Sequence, residues 1–166
     1  MGAWVGEEIR TAEEAAGNEH VLAFGRLLGA ANRLEHLLGR AIEEECGITH
    51  LMFEVLLILA RVGDAGKSMG EISRAQVLTS GGVTRLIDRM EAAGLVERVA
   101  NPGDRRGRLV RLTAAGETKT VEASRVHTAN IERYFLEPLP ADHRRQFADD
   151  LRILSHSARD SIGRMR

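Results

Sequence analysis

Arg105, Arg106 and Arg108 crowd into one short stretch, and Asp104 is the acid beside them. Such crowding adds little stability, because an exposed ion pair contributes only about 0–1 kcal/mol. Guanidinium groups on a protruding hairpin do suit the minor groove of duplex DNA, where the negative potential is enhanced. A second polar set lies upstream at helical spacing: Ser80, Thr84, Arg85 and Arg89. Hydroxyls and backbone N–H groups at a helix start favour phosphate or base edges, which fits Ser80 and Thr84. Arg85 carries a fork that pairs bidentately with guanine, and Arg89, a turn later, is placed for the backbone. In the hairpin, Arg106 is assigned to the minor groove, with Asp104 bracing it or the neighbouring Arg105, and Arg108 to a phosphate.

These side chains need elements to aim them. Val83, Leu86, Ile87 and Met90 recur at three- and four-residue intervals, which predicts a helix with one buried stripe and the polar set opposite. Thr79 is a good N-cap for it, and Gly94 suits the left-handed position past its end. Two strand-like runs follow, residues 95–99 and 109–112, on either side of the turn-forming Asn101-Pro102-Gly103-Asp104. Helix, hairpin and basic tip together describe a recognition helix and its wing.

The flanking sequence reads as helices. Val21, Phe24, Leu28, Ala31, Leu34, Leu38 and Ile42 predict a long amphipathic helix over about 18–45. Thr49 caps a densely apolar helix, Ser68 and Glu71 form a capping box opening a third, and Thr113 caps a long helix to about residue 135. Glu137-Pro138-Leu139-Pro140 breaks the chain before a last helix over about 141–162. The fold class expected is mainly α with a small β-hairpin wing (α+β). The domains expected are a tail or extra helix over 1–17, dimerisation helices over 18–48 and 114–166, and a winged helix-turn-helix over 49–113. The outer helices carry more apolar surface than one small winged domain needs, so a homodimer is expected. Its two-fold axis would set the recognition helices roughly 34–36 Å apart on a pseudo-palindromic operator.

The run from Val83 to Gly116 resembles the winged helix-turn-helix core of the MarR (multiple antibiotic resistance regulator) family. Thr84-Arg85-Leu86-Ile87-Asp88-Arg89-Met90-Glu91 is similar to the family's recognition helix, and Asp104-Arg105-Arg106-Gly107 with Leu112-Thr113 to its wing. The resemblance implies a dimeric transcription regulator of double-stranded DNA, most often a repressor released by a small aromatic or phenolic effector. It requires no cofactor. Other members sense zinc or oxidants, so a metal- or redox-responsive regulator is the alternative, as is an interaction scaffold that has lost DNA. Two positions depart from the family pattern. Gly81-Gly82 removes two side chains from the first turn of the recognition helix, and Gln76-Val77 points to an irregular turn before it.

Charge distribution agrees with the motif. Residues 1–67 hold 6 basic against 11 acidic side chains, 68–113 hold 8 against 5, and 114–166 hold 9 against 8. The positive excess therefore sits on the winged segment, although the whole chain carries −1. No apolar run nears the twenty residues a membrane span needs, and no secretory leader pattern opens the chain. One cysteine, Cys46, fits a reducing compartment, so a cytoplasmic location is expected. Glu43-Glu44-Glu45 should raise its thiol pKa and disfavour sensing. The six histidines show no short metal-ligand spacing, so a metal site is unknown from sequence. Trp4, His20, Arg26 and Glu54 are candidates to line an effector pocket. No phosphate loop, dinucleotide fingerprint or nucleophile elbow appears, and no enzyme is expected.

Overall fold

The computed structural model describes residues 9–76 and 79–164, without the side chains of Ser80 and of residues 104–106. Trp4, Val77 and Leu78 lie outside the described residues. The chain divides into two compact units, Met1–Leu37 and Leu38–Arg166.

The architecture is mainly helical with a small three-stranded antiparallel sheet. Helices α1 (Ala12–Gly17), α2 (Glu19–Cys46) and α3 (His50–Ala60) come first. Strand β1 (Lys67–Ser68), helices α4 (Met69–Ala75) and α5 (Ser80–Ala92), and strands β2 (Val96–Asn101) and β3 (Asp104–Leu112) follow. Helix α6 (Ala114–Ile131) runs into a wider turn over Glu132–Leu136, and α7 (Arg144–Arg164) ends the described chain.

Local chemistry sets most of these boundaries. The hydroxyls of Thr49, Ser68, Thr79 and Thr113 each accept from a backbone N–H of the first turn they precede, satisfying a donor with no partner inside the helix. Glu71 completes the box at α4 by accepting from the Ser68 N–H at 2.9 Å. Gly94 ends α5 at φ +69°, a conformation that favours glycine. The short α1 is likewise boxed by Thr11 and Glu14.

The sheet differs from the expected two-stranded hairpin. Its order is β1-β3-β2, because Lys67 and Ser68 pair with Val110 and Leu109 along the free edge of β3. That contact needs Gly66, at φ +63°, where a Cβ would meet the Val110 carbonyl at 2.8 Å. The turn is also tighter than expected, since β3 begins at Asp104 and only Pro102 and Gly103 separate the strands. The wing arginines therefore lie along a strand rather than on a loop, with a register irregularity facing them at Ala100/Asn101.

One core lies under the winged segment. Phe53, Val55, Leu56 and Leu59 of α3 pack with Ile72, Val83, Ile87, Met90, Val96 and Val110. Ile42 of α2 and Ala123 of α6 join it. The first turn of α6 is fastened to the root of the hairpin: the Thr113 N–H donates to the Leu95 carbonyl at 3.1 Å, and its hydroxyl to the Gly94 carbonyl at 2.6 Å. Gly116 is required there, because any Cβ would overlap the Leu95 carbonyl.

Candidate nucleic-acid interface

Helix α5 has the two faces its sequence implies. Val83, Leu86, Ile87 and Met90 are buried, with at most 6% of their surface exposed, while Thr84, Arg85, Asp88 and Arg89 face solvent. Thr79 fixes the helix start by accepting from the Gly82 N–H at 3.2 Å. A Cβ on Gly81 would meet open space, so that glycine is not demanded by packing. The first turn thus presents backbone where a larger side chain would fit.

The structure sorts the described arginine side chains of α5 and the hairpin into two groups. Arg98 and Arg111 are spent internally. Arg98 on β2 reaches back to α5, donating to Asp88 at 2.7 Å and also to Glu91. Its backbone N–H donates to Glu91 at 3.2 Å as well. Burial opposes the charge on Arg98, but Asp88 and Glu91 outweigh it and hold its pKa above the ordinary arginine value. Arg111 on β3 is paired across the hairpin with Glu97 at 2.7 Å. Arg85, Arg89 and Arg108, by contrast, are exposed and make no ion pair among the described residues. They have donors to offer a ligand.

Sequence reading missed the first group. Arg98 was one of several charges on a short strand, and Asp88 was one member of an exposed helical face. The signal was available: Asp88 and Glu91 sit three apart, so both point from one side of α5 toward a single cation. The Arg98 clamp makes helix and hairpin one unit, so an exposed arginine on α5 and one on β3 keep a fixed relation. Ser80, Asp104, Arg105 and Arg106 lie in α5 and β3 by their backbone, and their side chains are outside the described residues.

The candidate effector residues belong to two different units. His20 and Arg26 are exposed on α2 within residues 1–37, and Glu54 is half-buried on α3 within residues 38–166. Two histidines do converge: the His50 and His127 rings lie 5.6 Å apart, with Phe53 edge-on to His127 at 5.1 Å. The Nδ1 atom of His127 is buried without a hydrogen-bond partner among the described residues, and burial followed by the charge of His50 lowers its pKa. Among the described residues no group of three or more His, Cys, Asp or Glu is placed to hold a metal. Cys46 is buried, and that burial, followed by the charge of Glu122 on α6, pushes its thiol up; adjacent Glu45 adds least. No helix among the described residues is long and apolar enough to cross a membrane.

Comparison with known proteins places this geometry. A model of the MarR family matches residues 47–107, the segment from the start of α3 to the wing. The transcriptional activatory protein BadR of Rhodopseudomonas palustris is 40% identical over 94 residues, covering 56% of this chain and 53% of BadR. The chain thus spans about half the length of that relative. The multiple antibiotic resistance protein MarR of Escherichia coli is 28% identical over 122 residues, 74% of this chain and 83% of MarR. A mutant E. coli MarR complexed with operator DNA superposes with a TM-score of 0.66 at 25% identity, covering 81% of this chain and 95% of that one. CouR of Rhodococcus jostii bound to p-coumaroyl-CoA gives 0.65 at 26% identity, covering 79% and 90%.

Proposed function

We propose that the chain is a transcription regulator of the MarR family, rather than an enzyme, and that it acts as a homodimeric repressor. It binds a pseudo-palindromic operator and leaves it when a small aromatic or phenolic effector binds. The observation that carries this reading is the sorting of the arginines. Arg98 locks the recognition helix to the wing, while Arg85, Arg89 and Arg108 are exposed and make no ion pair among the described residues. Exposed guanidinium groups on a rigid, polar-faced unit fit the anionic backbone and groove edges of duplex DNA. Likeness to structures that hold operator DNA supports the same partner.

The roles follow from position. Arg85 reads a base, Ser80 and Thr84 sit near the helix start for phosphate or base edges, and Arg89 meets the backbone. Arg106 enters the minor groove, Asp104 steadies it or Arg105, and Arg108 holds a phosphate. The domain assignment proposed is a winged helix-turn-helix over 49–113, with dimerisation helices over 18–48 and 114–166. Supporting it are large apolar side chains that face solvent in the isolated chain: Val21, Phe24 and Leu28 on α2, and Ile153, Leu154 and Ile162 on α7. Faces of this kind mark interaction surfaces. The aromatic class of effector is supported by likeness to CouR, which holds p-coumaroyl-CoA.

Fluorescence anisotropy on the DNA upstream of the protein's own gene, titrated across salt against unrelated DNA, tests the reading. Specific binding with a steep salt slope is expected, and Arg106→Glu should weaken it at least a hundredfold while the dimer persists. Binding no tighter than to unrelated DNA, or an Arg106→Glu variant that binds like the parent, would overturn it. The same titration, repeated with phenolic acids, tests release.

A further inference from the structure

A pocket of about 240 Å³ opens within residues 38–166, between the end of α3, the end of β3 and the first half of α6. Its apolar walls are Ala60, Leu112 and Val121, and its polar lining is Asp64, Arg111, Glu117 and Thr120. Val121 in this lining is 51% exposed.

The polar groups differ in what they have left to give. The Thr120 hydroxyl is spent, donating to the Gly116 carbonyl at 2.7 Å within its own helix. Arg111 gives its Nε–H to Glu97 at 2.7 Å, and that carboxylate offsets its charge. Asp64 and Glu117 have no ion-pair partner among the described residues. The pocket therefore offers two uncompensated carboxylates above an apolar floor. An anionic ligand would meet repulsion from both and find the one guanidinium already charge-paired with Glu97. A cation with an apolar body would satisfy both walls at once. A bare metal ion fits poorly, since the floor is apolar and no third ligand of metal-binding type joins the two acids. The volume lies below the roughly 300–1,000 Å³ of pockets for drug-sized ligands, so the occupant is small.

We propose that this pocket binds a small organic amine, a protonated amino group on an aromatic or compact aliphatic body. Asp64 and Glu117 hold the ammonium, and Leu112 and Val121 hold the ring. The charge selectivity is opposite to that of an anionic phenolic acid, so this site is distinct from the aromatic effector of the preceding reading. It is also testable without DNA.

The test uses two probes of one ring and opposite charge, tryptamine and indole-3-acetate, in isothermal titration calorimetry on the intact protein at neutral pH. Tryptamine should bind saturably and at least tenfold more tightly than indole-3-acetate, and its affinity should fall as salt is raised. Asp64→Asn combined with Glu117→Gln should weaken tryptamine at least tenfold and remove the discrimination. Both positions are exposed, so the variant should fold as the parent does, checked by circular dichroism. A second variant, Val121→Lys, fills the pocket with a tethered ammonium and should abolish tryptamine binding. Equal affinity for the two probes, no saturation by tryptamine, or binding unchanged in these variants would overturn the proposal. None of these results bears on operator binding, which is measured separately.

Discussion

Helices α5 and α7 are both amphipathic, yet they end up in opposite conditions. The apolar stripe of α5 is 0–6% exposed, buried against α3, α4 and the hairpin. On α7, Ile153, Leu154 and Ile162 are 56–58% exposed. The difference teaches what periodicity means. It announces that a face will be buried and leaves open what buries it. For α5 the answer is local, because the chain turns within a few residues to pair β2 with β3 and close the core. For α7 no such cover lies among the described residues, and the proposed cover is a second copy.

The sharpest way to break this comparison is to make the same truncation in both regions. Ile87 is fully buried, so Ile87→Ala should cost about 2–5 kcal/mol at any protein concentration. Leu154→Ala should cost little in dilute solution, where α7 is uncovered. Its deficit should grow as concentration rises, because parent and variant then differ in how well they dimerise. Thermal melts from low to high micromolar protein would read this directly. A Leu154→Ala variant matching the parent at every concentration would remove α7 from the dimer interface.

A second experiment sharpens the view of the winged segment as a unit complete in itself. Arg98→Ala removes the clamp between β2 and α5 and leaves Asp88 and Glu91 facing each other across solvent. The loss should be about 1–2 kcal/mol, since the pairs are charge-assisted but Asp88 is half exposed. Operator affinity should fall about tenfold, although Arg98 itself is turned inward, because helix and wing no longer hold one relation. Arg98→Lys should recover part of the stability and less of the affinity, for an ammonium cannot serve two carboxylates in a fork. Unchanged affinity in Arg98→Ala would mean that the wing positions itself.

How much of this could be read in advance varies with the range of the interaction. Caps at Thr49, Ser68, Thr79 and Thr113 depend on residues three positions apart, and each is found where the sequence places it. The buried stripe of α5 depends on one helical period and was equally legible. Strand β1 was not, because two residues carry no periodicity and the partner that Gly66 lets them approach, β3, lies some forty residues on in sequence. The arginines of the segment were legible as a charge excess. Their division into spent and free groups was not, since it rests on contacts between separate elements. The same holds for His50 and His127, which α3 and α6 bring together. Asp64 and Glu117, likewise, share a pocket only after β3 has passed between their elements.

The smallest effect expected lies at the capping box of α4, and it can be read through pH. The Glu71 carboxylate is drawn down from 4.5 to about 2, first by the Ser68 N–H and then by the Ser68 hydroxyl, with Lys67 adding less. A group whose folded pKa is depressed stabilises the fold above its unfolded value and loses that contribution as pH falls through the folded one. The window is therefore pH 4.5 down to about 2. Glu71 is 42% exposed at its side chain, so solvent screens most of what the shift implies. The contribution should be about 1 kcal/mol, in the range of other helix caps. Urea melts of the parent and Glu71→Gln should differ by that amount at pH 7 and converge as the pH approaches 2. Ser68→Ala should show the same convergence, because it removes the hydroxyl that helps hold the carboxylate ionised. A difference that stays constant across the window would assign the effect to lost packing rather than to the charge, and the box would then be a local contact like any other on the winged segment.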